Sequence, residues 1–236
     1  MNSIKMKISF TSLLYILGAC ITINVFFLED GTVYGQAVDD NPNKRNVTYT
    51  HKIDSRTESA DWPASDLTDF PLSPKQILKH LLKANDVAKE AATFGHHPFG
   101  AVLVAPDGER ILMKQGNLSS VAHAETELSR RAFAQYNPDY LWKCTLVTTF
   151  EPCAMCAANV YWANIGNVVY GVEEATLKKL TGSNKENPTM NLPCRTLFKA
   201  GQKPIRVIGP VPELEDELVA PHKAFWKKAK SPDNYQ

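Results

Sequence analysis

Four side chains in the middle of the chain have the types and spacing for metal chemistry: His123, Glu125, Cys153 and Cys156. Cys153-Ala154-Met155-Cys156 is a CxxC, which alone fits half of a structural zinc site, a redox pair or chance. The preceding Glu151-Pro152 does not supply a thioredoxin-like context. A four-cysteine site needs two more closely spaced cysteines, and Cys144 and Cys194 stand singly. The remaining reading is a site with a nitrogen donor, His123, and an open fourth position. Two thiolates and a neutral imidazole leave a zinc centre formally uncharged, and such an ion draws the pKa of a bound water toward neutrality. Glu125, two residues from His123, falls near the metal without binding it. A carboxylate there can carry a proton from water to substrate.

These residues need a frame, and the flanking patterns supply one. Ser73-Pro74 predicts a helix start, with Ser as cap and Pro at the first helical position. Ile77, Leu78, Leu81, Leu82, Val87, Ala88, Ala91 and Ala92 continue it at near-helical spacing as far as Gly95. Phe99 to Val104 reads as a strand, Pro106-Asp107-Gly108 as a turn, and Arg110 to Lys114 as the return strand. A helix over Ala122 to Gln135, a strand over Thr145 to Thr149 and a helix over Cys153 to Ala163 follow. Strands over Val168 to Gly171 and Arg206 to Gly209 precede a closing helix over Glu215 to Ala229, broken or kinked at Pro221. A hairpin followed by alternating units predicts a mixed sheet between helices. The strand before Pro152 brings two helix starts to one sheet edge. Both sulfurs then share a helix face, in a positive potential that favours thiolates.

The chain has 236 residues, 44% hydrophobic and 22% charged, enough for one domain and extras. A net charge of +1 provides no footprint for a phosphate backbone and disfavours a nucleic-acid partner. Residues 1–37 read as a signal peptide or a membrane anchor. Lys5 and Lys7 precede an uncharged run from Ile8 to Leu28, with Gly35-Gln36-Ala37 as a cleavage pattern before Val38. Apolar residues continue past Cys20, which argues against a lipoprotein box at Leu17-Gly18-Ala19-Cys20. The expected location is exported (secreted or periplasmic) or membrane-anchored facing outside. Residues 38–72 read as a polar linker, with Asn46-Val47-Thr48 a sequon in form, and residues 73–236 as the catalytic domain. Outside the cytoplasm Cys144 and Cys194 are either a disulfide or two buried thiols.

His-x-Glu followed by Pro-Cys-x-x-Cys resembles the cytidine deaminase-like superfamily of zinc enzymes. The similarity is greater to its branch of free-base and nucleoside deaminases related to bacterial guanine deaminase and tRNA adenosine deaminase. It runs from about Ser73 to Trp226 and is carried by Pro98-Phe99-Gly100-Ala101-Val102, Ala122-His123-Ala124-Glu125 and Thr149-Phe150-Glu151-Pro152-Cys153-Ala154-Met155-Cys156. Val160-Tyr161-Trp162-Ala163 is similar to the guanine deaminase branch. The resemblance implies an α/β, three-layer α/β/α fold with a mixed five-stranded sheet, a Zn2+ cofactor and, commonly, a homodimer. It implies hydrolytic deamination of a purine-type free base or nucleoside, guanine or guanosine favoured, with release of ammonia. His123, Cys153 and Cys156 would hold the metal and Glu125 would be the proton shuttle. Asn117 would read the ring edge, Phe99 would lie against the base, Trp162 would form pocket wall and the Ala124 backbone N–H would contact substrate or water.

The chain also departs from that branch. The gap between Asn117 and His123 is short, and polar Thr181 to Pro193 does not match the acidic loop near the purine amino group. Glu173 and Glu174 are the acids available to replace it. His222, Phe225 and Trp226 resemble the tail that covers the pocket, or simply pack in their helix. Cytosine or cytidine, tRNA adenosine and a catalytically silent zinc protein are the alternatives.

Overall fold

The computed structural model of the chain describes residues 7–16, 19–27, 33–37, 69–182 and 187–229. Two compact units divide it, Met1–His51 and Lys52–Gln236. In the first, β1 (Lys7–Ile16), β2 (Ala19–Phe27) and β3 (Val33–Ala37) form an antiparallel sheet in that order. The expected signal peptide or anchor is thus extended backbone where it is described. Among the described residues no helix is long and apolar enough to cross a membrane. Most of the expected linker, residues 38–68 with the Asn46 sequon, lies outside the described residues. Its end does not: Leu72 is in the core of the second unit and Phe70 packs against that core.

The second unit opens with α1 (Pro74–Thr93), which starts in a capping box. The Gln76 N–H donates to Ser73 Oγ at 3.4 Å while the Ser73 N–H donates to Gln76 Oε1 at 2.8 Å. Then come β4 (Gly100–Val104), β5 (Ile111–Gly116), α2 (Ala124–Gln135), a single turn α3 (Pro138–Leu141) and β6 (Thr145–Phe150). They are followed by α4 (Ala154–Trp162), β7 (Asn167–Val172), α5 (Glu174–Thr181), α6 (Cys194–Ala200), β8 (Arg206–Ile208) and α7 (Glu215–Ala229). The helix α7 runs through Pro221 rather than breaking there. The sequence pattern misses α3, α5 and α6, three short helices without a sustained apolar period.

The sheet order is β5-β4-β6-β7-β8. β4 is antiparallel to both neighbours, while β6, β7 and β8 are parallel. This is the expected mixed five-stranded sheet, and helices cover both faces. Alternation within the strands divides the core in two. Val102, Val104, Val147 and Val169 meet α1, α5 and α7, whereas Ala101, Leu103, Leu146 and Val168 meet α2, α4 and α6. Burial on both faces explains why β4 reads as a continuous apolar run and why β6 and β7 show no alternation of polar and apolar residues.

Gly100 lets α1 lie directly on β4. A Cβ there would stand 2.2 Å from Ala84 O and 2.6 Å from Ala88 N, both helix backbone. Gly100→Ala should therefore cost about 1–3 kcal/mol by overpacking, read as a lower urea midpoint. An unchanged midpoint would mean that α1 is free to shift.

Candidate metal centre and active site

Strand β6 leads straight into the site. Cys153, three residues beyond its end, is the N-cap of α4, and His123 is the N-cap of α2 on the same face of the sheet. Both residues have extended rather than helical backbone, with φ −67°, ψ 156° at His123 and φ −62°, ψ 170° at Cys153. The His123 side chain makes no cap bond to its own helix, and Cys153 Sγ accepts from the thiol and the backbone N–H of Cys156, so both turn toward one point. His123 Nδ1 lies 3.7 Å from Cys153 Sγ and 3.5 Å from Cys156 Sγ, and the three candidate ligand atoms fall within 4.8 Å of one another. Tetrahedral zinc, with bonds of about 2.3 Å to sulfur and about 2.0 Å to nitrogen, needs S···N edges of about 3.5–3.6 Å. The donor set therefore fits the metal, through Nδ1, a choice of ring nitrogen that spacing does not specify.

The three groups also share protons unevenly. The Cys156 thiol and the His123 imidazole both donate to Cys153, which lowers its pKa to about 4. The same contact pushes Cys156 well up, and the Cys153 partner raises His123. These are the protons that metal ligation would displace. Thr126 Oγ1, 3.3 Å from Cys156 Sγ, adds a polar contact to the second sulfur.

Glu125 occupies the second position of α2 and is only 4% exposed. Its Oε1 accepts from the Thr148 hydroxyl at 2.8 Å, and its Oε2 lies 3.5 Å from Cys156 Sγ. The carboxyl is beside the candidate donor set and outside it. Burial raises its pKa and the Cys153 charge raises it further; the Thr148 hydroxyl opposes both. Sequence reading missed Thr148. The signal was the strand period, since Thr148 alternates with Leu146 onto the α2 face.

The expected substrate residues divide. Phe99 stacks on the His123 ring at a centroid distance of 6.5 Å and an interplanar angle of 15°. Asn117 is buried beside it, its N–H donating to Phe99 O at 3.0 Å. Its Nδ2 donates to Ser119 O, while its buried Oδ1 has no donor among the described residues. Ala124 is the first residue of α2, so its N–H has no acceptor within the helix. Trp162 corrects the expectation of a pocket wall: it is 74% exposed, packed edge-on to Tyr161 and under the Lys203 ammonium. Nine residues at about 1.5 Å rise put it about 13 Å along the helix from Cys153. Of the two acids offered for the missing loop, Glu173 is exposed and Glu174 is buried. Burial pushes Glu174 up to about 8, helped by the charges of Cys153, Glu125 and Glu151, so it belongs to the same electrostatic cluster. Cys144 and Cys194 are separate buried thiols. Residues 183–186 of the polar Thr181 to Pro193 segment lie outside the described residues.

Aromatic residues of α7 pack against His97, Phe99 and Phe150. His222 lies 4.7 Å from Phe99 and 4.3 Å from Phe150, and Trp226 lies 4.8 Å from His97. The Trp226 indole N–H donates to His222 Nδ1 at 3.3 Å, so the neutral ring carries its proton on Nε2. Burial lowers the pKa of His222 to about 3, against a weaker opposing effect of the Pro98 carbonyl.

This fold, donor set and buried carboxyl together define a deaminase of the zinc-binding type. The profile described as the cytidine and deoxycytidylate deaminase zinc-binding region matches residues 74–172. A probable cytosine deaminase of Schizosaccharomyces pombe is 36% identical over 164 residues, covering 68% of this chain and 98% of that protein. The chain belongs to the cytidine and deoxycytidylate deaminase family, and it is a hydrolytic deaminase acting on C–N bonds. A Bacillus subtilis guanine deaminase is 40% identical over 80 residues, 32% of this chain and 51% of that relative. A solved guanine deaminase of Nitrosomonas europaea superimposes with a TM-score of 0.51 at 19% identity, over 63% of this chain and 83% of that one. That likeness is one of fold.

Two measurements check the site. Glu125→Gln should keep zinc and lose turnover by about 10²–10⁴-fold, measured as ammonia release beside metal content; near-normal turnover would remove Glu125 from proton transfer. The unfolded chain protonates histidine near pH 6.5, whereas folded His222 resists protonation down to about 3. His222 thus contributes its full stability above pH 6.5 and loses it as pH falls toward 3. Relative to His222→Gln, the wild type should lose about 1.4 kcal/mol of stability per pH unit across that window. Parallel urea stability curves would refute a buried neutral His222.

Proposed function

We propose that the enzyme hydrolyses the amino group from a purine-type free base or nucleoside, with guanine and guanosine as the favoured substrates. The observation that carries this reading is a pair of buried polar groups: Asn117 Oδ1, in a residue bonded to Phe99, which stacks on His123, and the Glu174 carboxyl, on which the charge of Cys153 acts. A carboxyl in its neutral form both donates and accepts, which complements a lactam edge carrying N–H and C=O. Guanine and cytosine present such an edge and adenine does not. Free guanine retains two ring N–H donors besides the amino group that reacts, whereas guanosine and cytosine each retain one, so the second donor distinguishes the free base. Asn117 Oδ1 and Glu174 together suit two. The partial match to a guanine deaminase supports the same choice. Cytosine is the rival substrate, because the probable cytosine deaminase matches over nearly its whole length.

His123, Cys153 and Cys156 would hold Zn2+, which when bound would supply a nucleophilic water at neutral pH. Glu125 would take the proton of that water and deliver it to the ring nitrogen and then to the departing ammonia. Phe99 would lie against the base, and the Ala124 and Cys153 backbone N–H groups would help hold the substrate or water beside the metal. The order of positive then apolar residues at the N-terminus supports export or anchoring, and N-terminal sequencing of the mature chain would read it directly.

The deciding assay measures ammonia from guanine, guanosine, adenine, adenosine, cytosine and cytidine. The expected order places guanine or guanosine first and adenine last. Glu174→Gln, which keeps one donor and one acceptor, should retain that order, while Glu174→Ala should raise KM about tenfold or more, the loss of a buried hydrogen bond. A preference for cytosine or cytidine would transfer the assignment to that base. Undiminished guanine turnover in Glu174→Ala would take Glu174 out of the pocket.

A further inference from the structure

We infer that Glu151 is a positioning residue for the metal centre, holding the ligand loop by capping two helices at once. This rests on the deaminase reading of the site but concerns a residue that the motif chemistry does not use. Glu151 follows β6 and precedes Pro152-Cys153. Its backbone N–H donates to Val172 O at 2.7 Å, extending the β6–β7 ladder by one step. Its side chain is 6% exposed, and both oxygens are engaged. Oε1 accepts from the N–H of Cys194 at 2.9 Å and Oε2 from the N–H of Glu174 at 3.3 Å.

Those two N–H groups belong to the first residues of α6 and α5. Such groups lack intrahelical acceptors, and an N-cap side chain ordinarily serves the second or third residue of the helix rather than the first. Here the preceding residues, Pro193 and Glu173, make no side-chain cap. One carboxylate does the work of both, and the partial positive charge of two helix starts offsets its buried charge. Three segments distant in sequence therefore meet at one side chain: the loop entering Cys153, the start of α5 with Glu174, and the start of α6. The first residue of α5 and the first residue of α6 are thus both bonded to the residue that enters the metal loop. Loss of either bond frees the Cys153 loop and the Glu174 carboxyl together.

Glu151→Gln keeps shape and one acceptor but turns an NH2 toward a backbone N–H, so one cap becomes a clash. Glu151→Asp keeps the charge and is one methylene too short to span both helices. In both variants zinc affinity should fall about 10–100-fold, the range for groups that orient metal ligands. The visible bands of the cobalt-substituted protein should shift as the sulfur geometry relaxes. In the wild type, zinc loading should slow hydrogen exchange at the Glu174 and Cys194 amides, a readout that needs no variant. A lower unfolding midpoint with cobalt bands and zinc affinity unchanged would make Glu151 a structural cap only and overturn the proposal, as would amide exchange indifferent to zinc. None of these readouts uses a substrate. A wild type that shows all of them and yet releases ammonia from no base would refute the proposed substrate and leave the role of Glu151 standing.

Discussion

The site depends on one geometric constraint: two candidate metal ligands stand at helix N-caps that meet on one face of the sheet at the end of strand β6. An N-cap residue has extended backbone, so its side chain leaves the chain before the helix begins and is free to swing toward a neighbour. The helix behind it points a positive end at the same spot. His123 and Cys153 both use this arrangement, and Cys156 follows one turn along α4. For the caps to meet, α2 and α4 must share a face of the sheet and β6 must be buried on both sides, as it is along its whole length. Close contact of α1 with Gly100 fixes the opposite layer and keeps β4 beside β6.

Around that centre lie three buried carboxyl groups, and their partners separate their roles. Glu125 has a hydroxyl donor and a neighbouring sulfur, and burial favours its protonated form. Glu151 has two backbone N–H donors, which suit a carboxylate that stays in place. Glu174 has its backbone N–H tied to Glu151 and its carboxyl pushed up by burial. Chemically similar groups held in different environments can divide the roles proposed for them, proton carrier, brace and hydrogen-bond reader. The aromatic residues of α7 add the apolar boundary, packing on Phe99 and Phe150 beside the ligand His123.

Much of this was legible in the chain before any coordinates. The candidate metal cluster, the buried carboxyl beside it and the mixed sheet follow from local signals: a CxxC after a strand, a His-x-Glu at a helix start, and apolar stretches of strand length. Such signals act over a few residues, where backbone periodicity and capping chemistry dominate. The short helices α5 and α6 lacked a period, and the order of strands beyond the hairpin depends on long-range packing.

The sequence alone determined the donor set, because His123, Glu125, Cys153 and Cys156 carry their chemistry in their types and spacing. Only the tertiary structure decided which nitrogen of His123 faces the sulfurs, that Thr148 bonds Glu125, and that Glu174 rather than Glu173 is buried in the cluster. It alone removed Trp162 from the pocket, since distance along a helix axis outweighs motif resemblance, and it alone kept Cys144 and Cys194 as thiols. The reason is common to all of these. Direction, burial and reach belong to side chains packed between segments far apart in sequence, and no local pattern encodes how such segments approach.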